Sequence, residues 1–132
     1  EFGPFGRNIE PASAIVGEIR KAGFSTPVVV AGGIHHFTQA ESLLAEGKAW
    51  VKLSGLYRLC DAPYDATDSI VAALVAANPE RCLWGSDWPH IMLNGAEMPR
   101  AARLLDAFHR VVTDDKTRHR ILVDNPTQLY GF

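Results

Sequence analysis

A carboxylate and an imidazole stand three residues apart in the run Arg81-Cys82-Leu83-Trp84-Gly85-Ser86-Asp87-Trp88-Pro89-His90. The apolar stretch breaks at Gly85, and a short strand core followed by Gly, Ser, Asp and Pro is how an α/β fold ends a buried strand at a ligand-facing loop. There Asp87 can take a proton from water or ligate a metal, and His90 can donate a hydrogen bond to a carbonyl or carboxylate. Residue types alone leave a second reading open, in which Asp87 caps a turn and His90 is an ordinary loop residue. Arg58, four residues after Ser54, is within loop reach of the same face. Its guanidinium can fork onto a substrate carboxylate, a contact worth roughly 1.5–3 kcal/mol, or it pairs with Asp61 at the surface. Lys52 either points into the ligand side of its sheet, where it needs a partner or a role, or faces out between helices.

The elements that would position these groups alternate. Pro11 opens a helix with apolar residues at Ile15, Val16, Ile19 and Ala22 that closes at Gly23, and Val28-Val29-Val30 is a buried strand. Phe37, Ala40, Leu43 and Leu44 mark a second helix ending at Gly47, before a strand over Trp50–Ser54. A third helix carries Ile70, Val71, Leu74 and Val75, and Leu83-Trp84 is the third strand. Pro99 begins a helix buried through Leu104, Leu105, Phe108, Val111 and Val112. Thr113, followed by Asp114 and Asp115, makes an N-cap for a last helix. Strands separated by helical crossovers run parallel, and their ligands gather beyond the carboxyl ends, at Ala31–Phe37, Ser54–Arg58 and Ser86–Asn94.

At 132 residues the chain holds one domain, whereas a complete eight-stranded α/β barrel needs roughly 200 residues or more. Residues 1–10 read as an arm or a cloning remnant, and 11–132 as the domain. Of the residues, 47% are hydrophobic and 21% charged, the net charge is −2, and the basic residues are interleaved with acids. That mixture offers no nucleic-acid face. No apolar run reaches the roughly 18 residues of a membrane span and no signal core opens the chain, so a cytoplasmic protein is expected. Cys60 and Cys82 match no zinc-thiolate spacing and read as free thiols, Cys82 buried. Trp50 and Trp84 read as core, Trp88 as a pocket wall or a wedge packing the loop, and His109 and His119 as solvated helix residues. No Gly-x-Ser-x-Gly elbow or dinucleotide fingerprint is present.

Together with Val51-Lys52-Leu53-Ser54-Gly55, Pro79-Glu80-Arg81 and the ending Leu122-Val123-Asp124-Asn125-Pro126-Thr127-Gln128-Leu129-Tyr130-Gly131-Phe132, the Asp87 run resembles the lactonase-like branch of the amidohydrolase superfamily. Its members are 2-pyrone-4,6-dicarboxylate lactonase-like hydrolases with (β/α)8 barrels. The match covers roughly Thr26 to Phe132. It implies a partial TIM-type barrel of about three parallel strands with flanking helices, the C-terminal part of the whole. It also implies hydrolysis of a lactone or carboxylic ester, with Asp87 activating water and His90 acting on the substrate. Arg58, His35, His36, Asn94 and Trp88 follow as substrate-binding residues.

The sequence departs from that pattern at Val30-Ala31-Gly32-Gly33, where Ala31 stands in the place of a family histidine and His35 and His36 come later. The family's His-x-His has no counterpart. One copy therefore does not supply the three or four ligands of a typical catalytic metal, although Asp87 is a candidate ligand and a divalent ion such as Zn or Mn, or none, fits the branch. Open edges of a short parallel sheet invite another chain, so a homodimer or higher homo-oligomer is expected. Two other readings remain, a non-catalytic barrel fragment that self-associates and a binding module for a small acid.

Overall fold

The computed structural model describes residues 21, 29–30, 37–47, 49–91, 93 and 97–132. The arm over 1–10 lies outside the described residues, and so does the helix expected from Pro11, apart from Lys21, which is helical. The sheet comprises β1 (Val29–Val30), β2 (Trp50–Leu53) and β3 (Cys82–Trp84), all parallel, in the order β1-β2-β3. Helix α1 (Phe37–Ala45) crosses from β1 to β2, and α2 (Asp68–Ala77) crosses from β2 to β3. After β3 come α3 (Ala101–Val111) and α4 (Asp115–His119), then a π-helical turn (Arg120–Asp124) and α5 (Asn125–Tyr130). The expected alternation and parallel sheet are the observed ones.

Side-chain alternation gives the sheet two unlike faces. Val51, Leu53 and Cys82 join Leu44, Val71, Leu74, Phe108, Val112 and Ile121 in one core, so the described helices cover one face. Trp84 packs against that core, as does Leu105, and Trp50 is buried. Lys52 and Leu83, partners in the β2–β3 register, stand on the opposite face. Phe108 is fully buried, and truncating such a ring costs about 3–5 kcal/mol.

Polar clips tie the layers where packing alone would leave carbonyls unpaired. Asn125 Nδ2 donates to the carbonyls of Pro79 and Cys82, both at 2.7 Å, and fastens α5 to the start of β3. Asn78 Nδ2 donates to the Leu44 carbonyl at 3.0 Å and holds α1 to α2. Arg110 forks onto Asp68 at 2.8 and 2.7 Å, joining α3 to α2. The expected Thr113 cap is instead Asp114, whose carboxylate accepts from the Thr117 N–H at 2.8 Å. The helix then widens into a π turn, with the Asn125 N–H reaching the Arg120 carbonyl. Pro126 follows immediately, lacking an N–H and crowding the turn before it, and a wide turn there lets the chain stay helical. His119 lies exposed within 3.4 Å of Asp124. Both cysteines are free, and burial pushes the Cys82 thiol up to about 12, leaving it a packing group.

Candidate active site

The chain leaves β3 at Gly85, whose N–H still donates to the Leu53 carbonyl at 3.3 Å, and turns sharply at Asp87. Among the described residues three non-glycines have positive φ, namely Tyr64, Asp87 (65°) and His90 (55°), and two of them lie in this turn. Left-handed backbone at non-glycine residues is uncommon, and two such residues beside polar side chains make this turn the candidate site. The Trp88 N–H donates to Ser86 Oγ, and the His90 N–H returns to the Asp87 carbonyl at 2.9 Å, across the cis Trp88–Pro89 peptide. The loop thus folds back on itself and sets Asp87 and His90 at its two ends.

A second segment meets this turn from the end of β2. Gly55, at φ 71°, starts a 3-10 turn over Leu56–Arg58; the left-handed backbone there is what favours glycine, and its position lies within van der Waals contact of Asp87. The turn presents two donors to one oxygen: Tyr57 Oη donates to Asp87 Oδ2 at 2.8 Å and Arg58 Nε donates to it at 3.2 Å. Arg58 Nη2 also donates to the Ile91 carbonyl at 3.1 Å, and the guanidinium lies 5.1 Å from the centre of the Tyr57 ring. Tyr57 meets His90 edge to face at 5.2 Å. His90 is only 3% exposed, and its Nδ1 has no hydrogen-bond partner among the described residues.

The electrostatics follow from that packing. Partial burial pushes the Asp87 carboxyl up, but the Tyr57 and Arg58 hydrogen bonds, with the charges of Arg58 and Lys52, outweigh it and hold the group below the usual carboxylate range. Burial, and then the Asp87 carboxylate, push the Tyr57 phenol up, so it remains a proton donor. Oδ1 of Asp87 carries no hydrogen bond among the described residues.

Several expectations change at this point. Arg58 pairs with Asp87 rather than with Asp61 or with open solvent, because the 3-10 turn aims it back at the strand end. Trp88 is 78% exposed, so it is not a wedge packing the loop. His90 is not an ordinary loop residue but a buried one. Tyr57 was missed, and the only signal for it was its place beside Arg58 after a strand-end glycine. His35, His36 and Asn94 lie outside the described residues.

The amidohydrolase profile matches residues 24–132. The chain belongs to the amidohydrolase family. This amidohydrolase is 36% identical over 123 residues to a 4-sulfomuconolactone hydrolase of Rhizobium radiobacter, covering 83% of the chain and 41% of that protein. It is 34% identical over 91 residues to a D-galactarolactone isomerase of Agrobacterium fabrum, covering 67% and 31%. The crystal structure of a probable 2-pyrone-4,6-dicarboxylic acid hydrolase from Acinetobacter baumannii, with citric acid bound, superposes with a TM-score of 0.66 at 26% identity, over 93% of the chain and 51% of that structure. The chain thus spans about half or less of the length of the relatives it matches.

Amidohydrolases often use a divalent metal, and the described donor set does not fit one. Asp87 already accepts two hydrogen bonds on one oxygen, its charged neighbours Lys52 and Arg58 are cations, and no group of three or more His, Cys, Asp or Glu gathers among the described residues. Across those residues no helix is long and apolar enough to cross a membrane.

Proposed function

We propose that the chain is the C-terminal part of a (β/α)8-barrel hydrolase that opens a lactone, or cleaves a related carboxylic ester, by attack of water on the carbonyl. The observation that carries the reading is the Asp87 carboxylate at the end of β3, with Oδ2 fixed by Tyr57 and Arg58 and Oδ1 open, in a chain whose relatives are named for lactone hydrolysis or isomerisation. Asp87 Oδ1 takes a proton from water as its oxygen bonds to the carbonyl carbon. When the tetrahedral intermediate collapses, the ring C–O bond breaks and the leaving oxygen takes that proton back, which releases a hydroxy acid. His90 Nδ1, buried and without a hydrogen-bond partner among the described residues, is assigned to the substrate's carbonyl or acid group. Arg58 primarily positions Asp87, and the guanidinium nitrogen that makes no hydrogen bond remains for a substrate carboxylate. Trp88 walls the site's rim, and His35, His36 and Asn94 are assigned to substrate contact on the resemblance alone.

The relatives' names favour an anionic lactone, since a sulfomuconolactone and a pyrone dicarboxylate both carry acid groups. The isomerase among them raises a second reaction, ring rearrangement without water. Turnover of a lactone panel in H2(18)O separates the two. One 18O in the product acid is the expected result, and a product free of 18O would replace hydrolysis by isomerisation.

A further inference from the structure

Of the two cations beside Asp87, only Arg58 is tied down. Lys52 has no hydrogen bond or ion pair among the described residues, although its charge acts on Asp87. It is half-buried, and it stands on the sheet face opposite the helix-covered core, because its neighbours Val51 and Leu53 belong to that core. Its aliphatic stem crosses to β3 over Gly85. A Cβ on Gly85 would lie 3.4 Å from Lys52 Cδ, 3.8 Å from Cγ and 3.9 Å from Cε. These are van der Waals contact distances, so the lysine stem lies directly over the backbone at Gly85, just after β3.

A lysine that beds its carbon chain on a sheet while its ammonium makes no ion pair among the described residues offers a seat for an anion. The charges at the site point the same way: Lys52 and Arg58 against Asp87 leave a positive excess, which draws anions toward a carboxylate that would otherwise repel them. We propose that Lys52 holds a carboxylate of the substrate, and so selects lactones and esters that carry an acid group. This deepens the reading of the Asp87 site as a hydrolytic one and rests on it. With the acid group on Lys52, the substrate lies across Gly85, the strand position from which the chain leads to Asp87.

Binding of an unreactive diacid tests this without turnover. Succinate, with succinamide as the uncharged control, is titrated into the wild-type chain, K52M, K52R and D87N while backbone amides and the lysine Cε and Nζ resonances are followed by NMR. Saturable succinate shifts at residues 52–55 and 85–87 and at the Lys52 side chain are expected in the wild type. Affinity should fall about tenfold or more in K52M, hold within a few-fold in K52R, and stay level or rise in D87N, with no response to succinamide. Equal affinity in K52M and wild type would overturn the proposal. So would a wild-type Lys52 resonance that does not move, a readout that needs no variant to fold. If D87N loses hydrolysis while K52M binds normally, the hydrolytic reading stands and the Lys52 assignment falls. The reverse pattern separates them the other way.

Discussion

The two oxygens of Asp87 differ: Oδ2 takes the Tyr57 and Arg58 donors, Oδ1 carries no hydrogen bond among the described residues, and the proposed reaction uses Oδ1 as the base. Removing one donor to a carboxylate weakens its charged form, so Y57F, which keeps the ring against His90, should raise the Asp87 pKa. The acid limb of kcat/KM against pH should move up with it, and an unmoved limb would show that Tyr57 does not hold the carboxylate. The sign for stability follows from the depressed Asp87 carboxyl. Its contribution is present above the unfolded carboxyl's value of about 3.9 and is lost as pH falls through the lower folded one. Asp87 was legible because a strand-end Gly-Ser-Asp-Trp-Pro-His is a local signature. Tyr57 and the pairing of Arg58 were not, because they depend on how a 3-10 turn from one strand meets a turn from another. The side of the sheet that Lys52 takes was open in the sequence for the same reason: only the register with Leu83 and the packing of Val51 and Leu53 decide it.

At the scale of elements, the helices are held to the sheet by an apolar core and to one another by a few polar clips. Asn125→Leu would leave the Pro79 and Cys82 carbonyls without their donor and should cost about 2 kcal/mol in thermal unfolding. A loss under about 0.5 kcal/mol would mean that the clip is dispensable. Arg110→Ala should cost about 1 kcal/mol at neutral pH, the high end for an exposed pair because both bonds of the fork go to one carboxylate. The hydrogen bond from Arg110 chiefly holds the Asp68 carboxyl low. The difference between variant and wild type should therefore shrink as pH falls through the folded Asp68 value, a trend that chemical denaturation at several pH values can follow. Element types were readable from periodicity at Leu104, Phe108, Val111 and Val112, and from the short apolar strands. The π turn before Pro126 was not, since apolar spacing alone does not say how a helix accommodates a proline that follows buried Ile121.

At the scale of the whole molecule, the described helices cover one face of the sheet, and the other carries Lys52 with Leu83. Large apolar side chains at Leu59, Trp88 and Ile91 stand exposed near the Arg58–Asp87 pair. With β1 and β3 outermost among the described strands, we propose that a second copy pairs with an open strand edge and covers these exposed side chains, since Leu83 on the sheet's second face is already buried within one chain. Light scattering behind size exclusion should then give a mass that is a multiple of 14.4 kDa, and a strictly monomeric chain at micromolar concentration would contradict it. The parallel topology was legible from alternating strand and helix patterns, whereas what buries Leu83 on the sheet's second face was not, because no local residue pattern names what covers a surface. The proposed reaction turns on one carboxylate. Rates of lactone and aryl-ester hydrolysis by wild type and Asp87→Asn, measured side by side on folded protein, test it most directly. Turnover is expected in the wild type and should fall by at least about 10²-fold when the base is lost. Equal rates in the two proteins, or none in either, would contradict it.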